Sequence, residues 1–263
     1  SFGYYWVDSD DPLGPAFDWI DLTAFGTDIT GGVTDDNYVG PFPLNFDFPF
    51  YGGSYNQIYV GSNGIVGFYP VSLDENQKVH IPSAATPNGF LAWLWDDLDI
   101  TNPGNPGGKI FFHSNSERAV IQFFNFPEYN GLTGDVVNTE IILYAGGLIK
   151  FQYLSFGAAF DTENCAVGIE NSSGTDGLEV AFLTRYLRDS LAVAFYLPEQ
   201  WLILSSLSGT LSLEEIDTVA CKFDSRGLEP GIYRAHISVI SNDPDSTENP
   251  WVLPVSMEII GDK

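Results

Sequence analysis

The sequence predicts an all-β protein: a larger antiparallel β-sandwich followed by a small immunoglobulin-like β-sandwich. Three observations carry that prediction. Phe46, Phe48 and Phe50 alternate with Asp47 and Pro49, the period of two expected of a half-buried strand. Asn63-Gly64 and Gly146-Gly147 separate apolar runs, where tight hairpin turns call for positive φ angles. Twenty-seven glycines and 15% aromatic residues favour strands and turns over helices, and no segment carries a convincing helical period.

In chain order, Ser1 to Val7 (SFGYYWV) is aromatic and strand-like and runs into Asp8-Ser9-Asp10-Asp11-Pro12. Asp18 to Asp21 follow a Gly-Pro break, and Thr27 to Asp36 is rich in turn residues. Asn45 to Phe68 is the organising stretch: an aromatic strand, a break at Gly52-Gly53, an apolar return over Ile58 to Val60, a tight turn at Ser62-Asn63-Gly64 and another strand from Ile65. Val71 to Pro87 reads as a polar loop, because Pro82 and Pro87 block regular pairing. Phe90 to Leu98 is a short apolar run capped by carboxylates, and Asn102 to Gly108 is a loop by composition. Strands are predicted over Lys109 to His113, Arg118 to Phe126, Thr139 to Tyr144, Leu148 to Leu154, Ala166 to Glu170 and Leu191 to Tyr196. Their short spacing, with turn chemistry between them, predicts a sandwich over residues 1–198.

The spacing changes after Leu197-Pro198-Glu199-Gln200, so residues 199–263 read as a second domain. Its strands are expected at Trp201 to Leu204, Thr210 to Leu213, Thr218 to Phe223, Ile232 to Ile240 and Trp251 to Ile260. Tyr233, Ala235, Ile237 and Val239 mark one inner face, and Leu253, Val255, Met257 and Ile259 another. A domain this small is near the lower size limit for a stable core and is expected to lean on a neighbour.

The net charge of −25 makes nucleic acid and anionic membrane surfaces unfavourable partners, since both need clustered Lys and Arg. Divalent cations are the natural partner of such charge. No apolar run reaches the roughly 20 residues that span a bilayer. The single methionine is Met257, so the chain reads as a fragment or as a mature product without its leader. Cys165 and Cys221 sit in strand patterns that point each into a different core, which predicts two buried free thiols rather than a disulfide.

Alternating carboxylates in a loop can direct several hard oxygens at one cation. Two sets qualify as calcium candidates, Asp8, Asp10 and Asp11, and Asp96, Asp97 and Asp99. Asp35-Asp36 and Asp243 with Asp245 are weaker versions of the same pattern, and none has the distal Glu of a helix-loop-helix calcium loop. Asp96 and Asp97 beside Trp93 and Trp95 resemble the carboxylate pair of a glycoside hydrolase, but adjacent strand residues point to opposite faces. His80, His113 and His236 are far apart, and no G-x-S-x-G, H-E-x-x-H or phosphate loop is present. Phe123, Phe124 and Phe126 with Trp93 and Trp95 could form a sugar-stacking platform, although a Phe-rich sandwich places such residues in its core. Asn171-Ser172-Ser173 fits a glycosylation acceptor and equally well a turn.

The first domain resembles a β module that recurs in secreted bacterial proteins beside subtilisin-like proteases or ahead of C-terminal sorting domains. The likeness rests on Phe17-Asp18-Trp19-Ile20-Asp21, Asp35 to Pro41, Phe48 to Gly52, Ser62-Asn63-Gly64, Trp95 to Leu98, Ile141 to Tyr144 and Val167 to Asn171. The second domain is similar to bacterial immunoglobulin-like modules of the BACON and Hydin-associated type, through Trp201-Leu202, Ser208 to Thr210, Gly227 to Tyr233 and Ser241 to Pro244. The resemblance implies an exported, non-catalytic accessory or surface protein. Taken with the acidic loops and the N-terminal strand, two functions are expected. One is an extracellular structural or adhesive protein stabilised by calcium, self-assembling through Ser1 to Val7 as an added strand. The other is a glycan- or protein-binding module of a larger secreted enzyme.

Overall fold

The computed structural model describes all residues except 1–2, 12–13, 71, 198–200, 207–208, 213–214, 224, 226–230, 243–250 and 261–263. Ser1, the boundary residues 198–200, Ser208, Leu213, Gly227 and the Asp243/Asp245 pair therefore lie outside the described residues. The chain divides into two compact units, Ser1–Leu197 and Pro198–Lys263.

Among the described residues, unit 1 has thirteen strands and no helix. They are β1 (Tyr5–Asp8), β2 (Thr27–Asp28), β3 (Tyr38–Phe50), β4 (Gly53–Gly61), β5 (Ile65–Gly67), β6 (Phe90–Trp95), β7 (Lys109–Ser114), β8 (Arg118–Pro127), β9 (Val136–Tyr144), β10 (Ile149–Phe156), β11 (Ala166–Glu170), β12 (Gly177–Phe182) and β13 (Leu191–Tyr196). A seven-stranded antiparallel sheet runs β1-β13-β10-β9-β8-β7-β2, and a six-stranded sheet runs β12-β11-β6-β5-β4-β3. One continuous apolar core unites them, with Phe48, Val60, Val66 and Trp93 from the six-stranded sheet and Ile121, Phe123, Ile141, Phe151 and Phe195 from the other. Trp93 and Phe123 pack with ring centroids 4.2 Å apart. Trp93, Trp95, Phe123 and Phe126 are all fully buried, so these four members of the aromatic set considered as a sugar platform are packing instead, while Phe124 is half-buried.

The central stretch folds as strands, but its turns differ from expectation. Phe50 pairs with Gly53, so Tyr51 and Gly52 form the two-residue hairpin turn, with φ of 45° and 78°. At Ser62-Asn63-Gly64 only Gly64 has a positive φ, so this is a wider loop whose purpose is to bury Asn63. Strand β1 pairs with β13 of its own chain, Tyr5 opposite Tyr196 through Asp8 opposite Val193. Tyr4 beside it is buried against Phe50 and Tyr51.

Strand alternation sends Ile121, Ile141 and Phe151 inward and leaves Gln122, Glu140 and Gln152 on the outer face of the seven-stranded sheet. These three lie in one row, Gln122 opposite Glu140 and Glu140 opposite Gln152, yet each is at most 1% exposed. They are covered by residues 17–23, which cross the sheet as an extended strap. Asp18 N–H donates to Gln152 Oε1 at 2.6 Å, Ile20 N–H to the Glu140 carboxylate at 3.2 and 3.3 Å, and Leu22 N–H to Gln122 Oε1 at 2.6 Å. Every second N–H of the strap thus meets the next strand of the row, which satisfies buried polar groups on both sides. Leu22 closes the arrangement by burying itself completely against Val120 and Ile142. Leu22→Ala is expected to cost about 2–3 kcal/mol in chemical denaturation, because it empties a filled apolar site while leaving the sandwich core intact.

Unit 2 has β14 (Leu202–Leu204) paired with β15 (Cys221–Phe223), and β16 (Gly231–Val239) paired with β17 (Trp251–Ile259). Trp201 is buried beside Phe223 and Tyr233. Tyr233, Ala235 and Ile237 are the half-buried positions of β16, alternating as expected, whereas Val239 is exposed. On β17 Val255, Met257 and Ile259 are half-buried as expected, whereas Leu253 is exposed. Two further expectations fail here. Thr210 and its described neighbours form no strand, and Cys221 is exposed because all three residues of the short strand β15 face solvent. Both cysteines are free thiols, and Cys165 is buried as expected.

Candidate cation site at the acidic loop end

At one end of the two-sheet unit, the loops flanking β3, β5 and β6 bring together side chains far apart in the chain. Asp35, Asp36 and Asp97 each place one carboxylate oxygen so that all three lie within 4.8 Å of one another. This is the one such group among the described residues. It takes Asp97 from the second predicted set and joins it to the pair ranked below that set.

Asn63 is the hub of this end and is fully buried. Its Nδ2 donates to Asp36 Oδ1 and to Asp74 O, both at 2.8 Å, and its Oδ1 accepts from Leu98 N–H at 3.0 Å. One side chain thus ties the 35–37, 73–78 and 96–99 segments together. Ser62 adds a second tie, its N–H donating to Asn37 O and its Oγ accepting from Asn37 N–H. The Asn-Gly pair was legible as a turn. Nothing local announced that its side chain would be consumed by three segments.

The electrostatics follow from crowding and burial. Asp97 is pushed up to about 6, first by desolvation and then by the carboxylates of Asp36, Asp35 and Asp96, against the opposing charge of Lys78. Asp35 is raised by burial and by Asp99 and Asp36, and its Oδ1 is buried with no hydrogen-bond partner among the described residues. Glu128 nearby is pushed up to about 7, chiefly by burial, with Asp96, Asp161 and Asp135 adding to it. These charges need a proton or a cation to offset them.

The remaining predicted ligands are engaged in other contacts, although Asp96 Oδ2 is buried without a hydrogen-bond partner among the described residues. Asp96 is 1% exposed, and its Oδ1 binds Lys78 Nζ at 2.5 Å while accepting from Asp97 N–H and Asn164 Nδ2. Burial raises its pKa in spite of Lys78. Asp99 accepts from Thr101 N–H and Oγ1, so it closes its own turn. Asp8 accepts from Asp10 N–H and from Tyr186 Oη–H at 2.6 Å, and Asp10 pairs with Arg188. Asp8 and Asp10 therefore fasten β1 to the loop before β13. Asp11 contributes its N–H to Asp8 O, and Asp8, Asp10 and Asp11 form no three-ligand group. Asn171 caps its own turn, its Oδ1 accepting from Ser173, Thr175 and Asp176 N–H groups.

Among the described residues, no helix is long and apolar enough to cross a membrane. No solved structure matches the chain. A family model described as NIDO related matches residues 15–187, which takes in the strap, the Asn63 hub and all three clustered aspartates. That span covers most of the chain and lies within unit 1. The chain belongs to the NIDO-related family, a family of extracellular modules.

Proposed function

We propose that this protein is a non-catalytic extracellular structural or adhesive module whose acidic loop end is held together by a calcium ion at Asp35, Asp36 and Asp97. Membership in an extracellular module family supports the setting. The convergence of three carboxylates within 4.8 Å, with the Asp35 Oδ1 buried and unpaired, supports the cation. Calcium takes six to eight oxygens, so water would complete the shell. Its role here is structural: it would offset the mutual repulsion that raises Asp97 and fasten the loops already gathered by Asn63.

Self-association belongs to the same reading. Strand β1 is the terminal strand of the seven-stranded sheet, so its outer side is where another chain would add a strand. Thermal unfolding and sedimentation velocity, each in millimolar calcium and in chelator, test both parts. The expected result is a melting temperature several degrees higher in calcium, absent in Asp35→Asn and Asp97→Asn, with larger species in calcium than in chelator. Identical melting in both buffers would remove the cation, and a monomer in both would remove the assembly.

A further inference from the structure

A cleft of about 500 Å³ opens beside β3 and β4, away from the acidic loops, and Pro43, Asn45, Phe46, Asp47, Asn56 and Gln57 line it. It is built by an irregularity in β3. Pro43 pairs with Gln57 and Phe48 with Tyr55, so four residues, 44–47, stand opposite Asn56 alone. Leu44 drops fully into the core, Asn45 takes a φ of 56°, and Asn45 and Asp47 turn to solvent. The bulge is fastened across the sandwich: Ser114 Oγ donates to Leu44 O, and Asn45 Nδ2 donates to Ser114 O at 3.1 Å. Phe46 is half-buried and packed edge-on to Phe48, which fixes its ring. The concavity is therefore preformed.

We infer that this cleft binds a neutral saccharide. Carboxamides and a carboxylate pair with vicinal hydroxyls as donors and acceptors, while the Phe46 and proline rings offer apolar surface to the C–H face of a pyranose. Asp47 and Asn56 are exposed, and among the described residues neither has its side chain hydrogen-bonded to the protein. The Asn45 Oδ1 is left available as an acceptor, its Nδ2 being committed to Ser114. Other ligand classes fit less well. Phosphate and other anions meet Asp47 and no cationic lining residue. A peptide adding to this edge needs backbone donors, but Pro41, Pro43 and Pro49 remove three N–H groups from the thirteen residues of β3.

Isothermal titration and saturation-transfer NMR of the full chain with cellobiose, lactose, mannobiose and chitobiose test the inference. At least one disaccharide should bind, and Asp47→Ala and Asn56→Ala should each weaken it about tenfold or more with unchanged melting temperature. Binding should persist in chelator, since no residue of the acidic loop end lines the cleft. A protein that binds none of the four sugars, or variants that bind as tightly as the parent, would overturn it. So would binding of a lysine-rich peptide that depends on Asp47 while the sugars stay inert.

Discussion

Gly64→Ala is expected to prevent folding of unit 1, or to cost more than about 4 kcal/mol if the chain folds at all. A Cβ built at Gly64 would lie 1.6 Å from the Leu94 carbonyl oxygen and 2.3 Å from its carbon. Leu94 sits fully buried within β6, so its backbone has nowhere to retreat. The φ of +74° adds strain for any side chain. Asn63→Ala keeps that backbone and isolates the hub. It leaves the buried Leu98 N–H without an acceptor and removes the donor to Asp74 O, which is only half-buried, an expected loss of about 3 kcal/mol. It also leaves Asp36 held, among the described residues, only by the longer bond from Asn76 Nδ2 at 3.4 Å, so the calcium-dependent rise in melting temperature should shrink. Urea denaturation of both variants checks the claim. An Asn63→Ala protein as stable as the parent would show that the loops hold themselves.

How much of this could be read from the chain depends on the distance over which each feature is encoded. Phe46, Phe48 and Phe50, the apolar run of β6 and the paired runs of β9 and β10 carry their own periodicity, and the fold class follows from them. Tyr51-Gly52 was missed as the hairpin turn because an aromatic residue is not a usual occupant of positive φ, whereas Asn63-Gly64 has the favoured composition. β12 was missed as well, since GLEVAF carries a glycine and a glutamate in six residues. Local spacing also selected the wrong acidic partners. It grouped Asp96, Asp97 and Asp99, but neighbours along a strand end point apart, and Asp97 meets Asp35 and Asp36 only because β3 and β6 belong to one sheet.

The strap shows the same limit. Phe17 to Asp21 is recognisable as a motif, yet its function rests on Gln122, Glu140 and Gln152, which form a row only after β8, β9 and β10 pair in register. Once they do, one feature of the row becomes decisive. Its middle member is a carboxyl group with no access to water.

Stability is accordingly expected to fall as pH rises from 5 to 8.5, measured in chelator to keep cations out. Burial pushes Glu140 up to about 8 from 4.5, against the Ile20 N–H, Gln152 and the Lys150 charge, while Asp18 raises it further. Lys150, whose charge acts on Glu140, is itself lowered by burial, against the carboxylates of Asp18 and Glu140. Glu170 is pushed up to about 7 by burial, alongside Glu128 at about 7 and Asp97 at about 6. In each case the folded chain holds a proton that the unfolded chain has released. The corresponding stability is fully present below about pH 4.5 for the three glutamates and below about pH 3.8 for Asp97, and is lost as pH rises through the folded values. For Glu140 the loss is on the order of 4 kcal/mol by pH 8.5, and the net charge of −25 acts in the same direction. Glu140→Gln keeps an acceptor for Ile20 N–H but cannot ionise. It should therefore be less stable or equal at pH 5, more stable than the parent at pH 8.5, and flatter between. A parent protein equally stable at both pH values would mean that water reaches Glu140 beneath the strap. A Glu140→Gln variant with the full slope would assign the effect to the acidic loop end and Glu170 instead.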